Sequence, residues 1–438
     1  MKLPGGANRR RGRLLRLAGA LLAPVLVAGV VVAQMGVASA AVPAWHGQQK
    51  VLYVSTSGNP RGSGQSCRSA RFTNIQAAVN AAQPGATVVV CQGTYHQQVV
   101  ISKALTLAGK GATISENGVT PTFKVTIPGL GTVTIFAALV ITSSRVTITG
   151  LTIRDADGEG ILAAGLGRTV SGIEITHNAV LHNDLGGGVP PASPYFQCAA
   201  QGQVPGDCGE GVHFAGNVAY SVVNGNLIEG NSGGVLLSDD VGPTDHNVVE
   251  NNLVTENATD CGITVPGHNP QALSSSGKPQ PAVAGVYDNV IKNNVVTNNG
   301  QKGEGAGVLF ANAGPGTASY NNLVEGNYIA GNELSGVTMH AHTIGPKQFE
   351  DLSGNVVTQN VIGKNNTGGD PLDAPASPTD DVTTGILVFS GGTHVTTEIA
   401  HNKISNNKIG IWLSKAVTAS GLRTNTFRNV ATPISANH

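Results

Sequence analysis

The sequence predicts an all-β fold, a solenoid in which short parallel strands form successive coils, because two patterns recur along it. The first pattern, Asn-x-(Val/Ile)-x-x-Asn, begins at Asn178, Asn226, Asn252, Asn294, Asn327, Asn360 and Asn402. The second pattern, Gly-(Val/Ile)-x-apolar, has its glycine at Gly211, Gly234, Gly262, Gly307, Gly336, Gly385 and Gly410. Short segments of period two between Gly and Asn turns indicate strands, and a repeat too short to contain a helix indicates stacked coils.

The spacing of the repeat glycines gives the size of a coil. Successive glycines are 23, 28, 45, 29, 49 and 25 residues apart, so a coil has a little over twenty residues and some coils carry insertions. We expect long insertions at about 186–209, 266–284 and 363–383, and we expect the second and third to leave from the same end of the strand row. Insertions gathered at one edge of a solenoid commonly build its binding face.

The repeated asparagines predict ladders along the solenoid. A side-chain amide that recurs at one place in every coil can bond the amides above and below it, which keeps a polar turn satisfied. Each coil cannot bury its own apolar side, so we expect the stacked neighbours to supply the missing contacts.

The segment before the repeats predicts a capping helix at about 73–83. Thr73 and Gln76 have the spacing of a capping box, and Pro84 follows the helical segment. The apolar side of this helix consists of Ile75, Ala78, Val79 and Ala82. Such a helix would cover the open strand edges of the first coil.

These features together resemble a known superfamily. The repeats, with "YVSTSG" and "FTNIQAAVNAAQPGATVVVCQGTYHQQVVI" before them, are similar to the right-handed parallel β-helices of the pectin-lyase-like superfamily. The resemblance runs from about Val51 to the C-terminus and implies that fold, a single-stranded solenoid with an N-terminal capping helix. The same fold carries lyases, hydrolases, epimerases and adhesins, so the resemblance does not assign a function.

Residues 1–40 have the features of a signal peptide: a basic start, the apolar run Leu17–Ala33, and the cleavage pattern at Ala38–Ala40. We therefore expect a secreted protein with one domain, 41–438, and no membrane span after cleavage.

Six of the 26 basic residues lie in this leader, whereas all 26 acidic residues follow it. The remaining chain is mildly acidic and offers no basic footprint for nucleic acid. We expect a monomer.

The five cysteines suggest disulfides, as is common in exported proteins. By proximity in sequence, Cys67 pairs with Cys91 and Cys198 with Cys208, which leaves Cys261 over. The sequence does not fix this connectivity. No CxxC motif or zinc-like Cys/His spacing is present.

Counting from each repeat glycine separates inward from outward residues. The first and third residues are always apolar, so we expect the second and fourth to face solvent. The outward second, fourth and sixth positions include His213, Asp240, His268, His340 and His342. Because equivalent positions in neighbouring coils are about 4.8 Å apart, these side chains fall on one longitudinal face.

Asp240 and His268 occupy the sixth position of successive coils and predict a carboxylate–imidazole pair that acts as a general base. Asp239 lies beside them and joins the predicted catalytic group. His340 and His342, further along the face, would bind substrate. His213 would extend the groove in the other direction, together with Glu210, a candidate acid.

Two other interpretations of these residues stay open. An Asp after a strand is ordinary turn chemistry, since its carboxylate bonds nearby backbone N–H groups. A metal ion is the third interpretation, with Asp239, Asp240, His268 and His342 as mixed oxygen and imidazole ligands suited to zinc, manganese or iron.

No specific enzyme family of the superfamily matches. Pectate lyases typically use an Arg or Lys base, and the outward rows contain no Arg. Polygalacturonases carry an Asp pair before a strand, whereas Asp239 and Asp240 follow one. The sequence therefore predicts a secreted protein that binds a carbohydrate polymer on this face and, if it is an enzyme, acts as a lyase, hydrolase or epimerase. The alternative is a non-catalytic binding or structural protein of a cell wall or matrix.

Overall fold

The computed structural model describes residues 50–127, 131–184, 209–303, 305–341, 348–367 and 383–436. The predicted signal peptide, the Cys198–Cys208 pair and His342 lie outside these residues. So do most of the first and third predicted insertions. The second insertion follows the strand Ile263–Gly267, whereas the third precedes the strand Thr384–Ser390, so the expectation that both leave from the same end of the strand row is wrong.

The described chain forms a parallel β-helix, as predicted. One face, here called the front sheet, has eleven parallel strands: Val99–Ile101, Ala137–Ile141, Glu159–Ala163, Glu210–Phe214, Gly233–Leu237, Ile263–Gly267, Val308–Asn312, Val337–Ala341, Thr384–Ser390, Ile409–Leu413 and Thr432–Ala436. Each strand pairs with its equivalent in the next coil, for example Val212 with Val235 and Val235 with Ile263. The repeat glycines therefore mark the same point of successive coils.

A rear sheet contributes up to two strands per coil: Val51–Val54, Ala86–Val90, Gly93–His96, Leu105–Ser115, Val146–Arg154, Glu174–Thr176, Ala179–Leu181, Val222–Asn224, Leu227–Glu229, Val248–Glu250, Leu253–Thr255, Val290–Lys292, Val295–Thr297, Leu323–Glu325, Tyr328–Ala330, Asn355–Thr358, Val361–Ile362, Val395–Ala400, Lys403–Ser405, Val417–Ser420 and Thr426–Arg428. A side sheet of two-residue strands follows the front strands: Val170–Ser171, Val218–Ala219, Thr244–Asp245, Val286–Tyr287 and Ser319–Tyr320. An antiparallel hairpin, Lys124–Ile127 with Gly131–Thr134, precedes the second front strand in the chain.

The interior is one continuous apolar column. The first and third residues after each repeat glycine, such as Val212 and Phe214, are fully buried in it. This confirms the inward rows.

The second-position row stacks in the predicted register, but the expectation that it faces solvent is wrong. Leu236, Thr338 and Trp412 are buried. Apolar groups cover the outer side of the front sheet: Val125 and Val133 of the hairpin pack in one outer cluster, and Trp412 packs in another. Strand alternation fixes only the side on which a residue lies, and elements that pack over the sheet decide its exposure.

Asparagine ladders are present, as predicted. The two predicted ladders contain Asn178, Asn226, Asn252, Asn294, Asn327, Asn360, Asn402 and Asn425, and Asn183, Asn231, Asn257, Asn299, Asn332, Asn365 and Asn407. A third, unforeseen ladder contains Asn247, Asn289, Asn322 and Asn355. Asn294 shows the bonding: its backbone N–H and Nδ2 donate to Asn327 Oδ1 at 2.9 and 3.0 Å, and Nδ2 also donates to the Val249 carbonyl at 2.9 Å. The buried turns are thereby satisfied.

The capping helix spans Ile75–Ala81, and its N-cap is Asn74 instead of the predicted Thr73. Asn74 Oδ1 accepts the Ala77 N–H at 2.9 Å. Gln76 bonds the first front strand, since Nε2 donates to the Val100 carbonyl at 3.0 Å and Oε1 accepts the Val100 N–H at 2.6 Å. The side-chain amide replaces a neighbouring strand at the open edge, as the capping role requires.

The predicted Cys67–Cys91 disulfide is formed, whereas Cys261 is a free, buried thiol. Within the described residues, no helix is long and apolar enough to cross a membrane.

Candidate functional site

The predicted Asp240–His268 contact is present at the turn that leads from the front sheet to the side sheet. Asp240 Oδ1 accepts a hydrogen bond from His268 Nδ1 at 2.8 Å. The two residues come from successive coils, after the strands Gly233–Leu237 and Ile263–Gly267. The His268 side chain is 27% exposed and that of Asp240 12%, so the imidazole is the solvent-accessible member of the pair.

Behind the pair lies His213, which is buried with only 1% of its side chain exposed. Its Nδ1 is 2.9 Å from Glu159 Oε1, and its Nε2 is 2.9 Å from Ser238 Oγ and 3.6 Å from Asp240 Oδ2. Ser238 Oγ in turn donates to Asp240 Oδ2 at 2.8 Å. Glu159, His213, Asp240 and His268 thus form a line of alternating carboxylates and imidazoles, here called the acid–base chain.

Mutual electrostatics keep the inner part of this chain charged. Burial lowers the pKa of His213, but the negative charges of Glu159 and Asp240 and their hydrogen bonds raise it to about 9. Burial also opposes ionisation of Asp240, but His268 and His213 hold the pKa of Asp240 well below its usual range. At neutral pH an ionised Asp240 therefore lies between a cationic His213 and the more exposed His268.

Asp239 has a different environment, although it adjoins Asp240 in sequence. It is fully buried, and its Oδ1 accepts the backbone N–H groups of His268 at 2.6 Å and Asn269 at 3.0 Å. Its Oδ2 accepts the Gly285 N–H at 2.8 Å, while burial raises the pKa of Asp239 to about 6. The Asp239 carboxylate therefore bonds backbone N–H groups at both ends of the second insertion. This agrees with the interpretation of Asp239 as a turn residue.

The remaining predicted residues lie away from the Asp240–His268 pair. Glu210 is buried in register with Glu159, where its Oε2 accepts the Gly209 N–H at 3.0 Å. His340 lies two coils beyond Pro266, since Pro266 is paired with Ala311 and Ala311 with His340.

Among the described residues, one group of side chains lies close enough together to hold a metal ion: ligand atoms of Glu159, Glu210 and His213 are within 4.8 Å of one another. This differs from the metal set that the sequence suggested. Both ring nitrogens of His213 are engaged, by Glu159 and Ser238, which favours an ion pair over metal ligation. Asp239 also has both oxygens occupied by backbone N–H groups.

Sequence reasoning missed Glu159 and Ser238. A signal for Glu159 existed, because "EGILA" at 159–163 has the same form as "EGVHF" at 210–214. The structure pairs these two segments in register, with Leu162 beside His213. Ser238 stands in the fourth-position row, but a lone serine after a strand gives no sign of its bonds to His213 and Asp240.

Comparisons with known proteins agree with the fold. The family described as "Right handed beta helix region" matches residues 136–335 and 271–429. No curated protein matches the chain.

Solved structures with the same fold share little sequence with the chain. The A-module of the Azotobacter vinelandii mannuronan C-5 epimerase AlgE6 has 16% identity and a TM-score of 0.48, over 83% of this chain and 91% of that one. The pectate lyase Pel9A has 15% identity and a TM-score of 0.44, over 86% and 78%. The Streptococcus pneumoniae surface adhesin PfbA has 12% identity and a TM-score of 0.46, over 82% and 86%. At this identity the likeness concerns the fold alone.

Proposed function

We propose that this chain, which belongs to the right-handed β-helix family, binds a carbohydrate polymer along the outer surface that carries His268 and transfers a proton through His268. The observation that carries the proposal is the 2.8 Å bond from His268 Nδ1 to Asp240 at the exposed end of the acid–base chain. Structures of this fold include polysaccharide lyases and epimerases, which makes a glycan the first substrate class to test.

The geometry suits a general base. An ionised Asp240 accepts the proton of His268 Nδ1–H, so a neutral His268 keeps its lone pair on Nε2. That nitrogen can take a proton from water, which would lead to hydrolysis, or from a sugar C–H, which would lead to elimination or epimerisation. The positive charge on His268 that follows is stabilised by the carboxylate.

The buried part of the chain positions this base. His213 and Ser238 occupy the second oxygen of Asp240, so the carboxylate is held in one orientation. Glu159 compensates the charge of His213. Asp239 fixes the backbone of His268 through its N–H at 2.6 Å. We assign Asp239, Glu159 and His213 to positioning and reserve proton transfer for His268.

A non-catalytic binding protein of a wall or matrix is the second candidate. It is favoured by the near-complete burial of Glu159 and His213, which a purely structural polar cluster would also show.

A glycan panel separates the candidates. The mature protein would be incubated with alginate, polygalacturonate, xylan and β-glucan, and assayed for reducing ends, unsaturated ends and changed sugar configuration. We expect product from at least one glycan, lost in His268→Ala and retained in the control His394→Ala, whose exposed ring bonds Thr418 elsewhere on the surface. Binding without product, unchanged by His268→Ala, would establish the non-catalytic candidate.

A further inference from the structure

A row of aromatic rings runs along the side sheet, separate from the acid–base chain. The rings of Tyr220 and His246 stack with centroids 4.8 Å apart and planes at 25°. His246 meets Tyr287 edge to face at 6.3 Å, and Tyr287 stacks on Tyr320 at 5.1 Å and 17°. The four residues come from four successive coils, here called the aromatic row.

The two ends of this row differ in exposure. Tyr320 is buried in a cluster with Ala272 and Leu273 of the second insertion, and the Tyr287 hydroxyl donates to the Pro281 carbonyl at 2.9 Å. Tyr220, in contrast, is 64% exposed. The insertion covers one end of the row and leaves an open aromatic platform at the Tyr220–His246 end.

The backbone at this platform is unfavourable for Tyr220. Tyr220 has φ 50°, in the left-handed region, where a bulky residue is uncommon and costs of order 1–3 kcal/mol. At the equivalent turn position, other coils place Arg145, Gly172, Asp288, Asn321 and Gly354. All of these except Arg145 are residue types that adopt this conformation readily. Local stability therefore does not explain an exposed tyrosine at position 220.

Carboxylates flank the platform. Asp245 Oδ1 is 2.6 Å from His246 Nδ1, and Asp288 Oδ2 is 3.8 Å from His246 Nε2. Asp288 remains partly exposed and lies two coils from Tyr220. The open face of the Tyr220 ring suits the C–H face of a sugar ring. The two negative charges disfavour a polyanion.

We propose that the Tyr220–His246 platform is a second carbohydrate-binding site, which takes an uncharged sugar residue of a polysaccharide by stacking it on Tyr220. The face of the Tyr220 ring that points away from His246 supplies the contact area. This site is distinct from the surface at His268 and does not rest on catalysis there.

The left-handed backbone provides a sharp test. Tyr220→Asn installs the residue type found at position 321, so the fold should keep or gain thermal stability while the platform is lost. Affinity electrophoresis of the mature protein in gels containing xylan, β-glucan or alginate would measure binding, with Tyr328→Ala as the control, because Tyr328 is an exposed tyrosine of the rear sheet.

We expect retardation by a neutral glycan, weakened about tenfold in Tyr220→Asn and unchanged in Tyr328→Ala. Equal retardation of wild type and Tyr220→Asn, or retardation by alginate alone, would overturn the proposal, as would no retardation by either neutral glycan. Loss of product in His268→Ala with retained retardation would show that the two sites are separate.

Discussion

His268 and Asp240 are 28 residues apart in sequence, yet Nδ1 and Oδ1 lie 2.8 Å apart, because the parallel strands before them stack in register. The front strand that ends before Asp240 pairs with the one that leads to His268. The same turn carries Asp239, whose carboxylate faces the protein backbone. Adjacent aspartates thus have separate tasks, and this division leads to distinct predictions.

Replacing Asp240 should impair catalysis more than binding. In Asp240→Asn the amide no longer stabilises a positive His268 or fixes its Nδ1–H tautomer, so we expect a fall in kcat of about 10²–10⁴-fold with a small change in KM. Steady-state kinetics on the glycan identified by the panel would measure this. The surface variant Glu398→Gln should match the wild type, and a change confined to KM would contradict the assigned role.

The charge of His213 can be measured directly. Its pKa, raised to about 9, predicts an imidazole that stays protonated through neutral pH in NMR titrations. The Glu159→Gln variant removes one of the two compensating carboxylates, so the pKa should fall toward or below the ordinary 6.5. A His213 resonance that titrates near pH 6.5 in the wild type would disprove the proposal that His213 is cationic within the acid–base chain.

The raised pKa of His213 also predicts the direction in which the stability of the fold changes with pH. A histidine with a raised folded-state pKa contributes stability that is fully present below pH 6.5 and is lost as the pH rises through about 9. The thermal midpoint of the wild type should therefore decline across this window. His213→Gln should show a shallower decline, although its stability at pH 6 should be lower.

The raised pKa of Glu116 predicts a second loss of stability as the pH rises. Burial, reinforced by the charge of Asp157, raises the pKa of Glu116 from 4.5 to about 8. A raised carboxyl pKa stabilises the fold below pH 4.5, and this contribution is lost as the pH rises through about 8. Glu116→Gln, which cannot ionise, should thus gain thermal stability relative to the wild type at pH 9 and show a smaller difference at pH 5. An equal shift at both pH values would point to packing instead of ionisation.

Asp239 should matter for the second insertion. In Asp239→Asn the amide oxygen can still accept from His268 and Asn269, but the amide nitrogen would face the Gly285 N–H. We expect a loss of about 1–3 kcal/mol in the free energy of unfolding and faster proteolysis between 268 and 285. Urea unfolding and mass spectrometry of limited digests would test both, and unchanged cleavage would contradict the role of Asp239 as a clamp.

Two neighbouring asparagines, one in a ladder and one outside it, allow a controlled test of how much the ladders stabilise the fold. Asn294 is buried and makes several amide bonds to the adjoining coils, whereas Asn293 is exposed with φ 55°. Asn294→Ala should lower the free energy of unfolding by about 2–4 kcal/mol, and Asn293→Gly should change it little. Similar urea midpoints for the two variants would show that the ladder adds no stability.

The repeats in the amino-acid sequence were enough to predict the parallel β-helix. Local patterns set the strands, the turns and the asparagine ladders, and a fixed coil length converts sequence positions into neighbours. Counting from the repeat glycines therefore placed Asp240 beside His268. The third ladder was equally readable, since Asn247, Asn289, Asn322 and Asn355 each stand five residues before a ladder residue.

The surroundings of these side chains, in contrast, depend on how the coils and insertions pack. His213 belongs to an outward row, yet it is buried against Glu159 and Ser238. Asp239 and Asp240 are both acids after a strand, yet one holds a loop and the other an imidazole. The physical reason is that strand periodicity fixes side-chain direction only within strands. In turns, and wherever insertions pack over a sheet, direction and burial depend on contacts with other coils that no local pattern encodes.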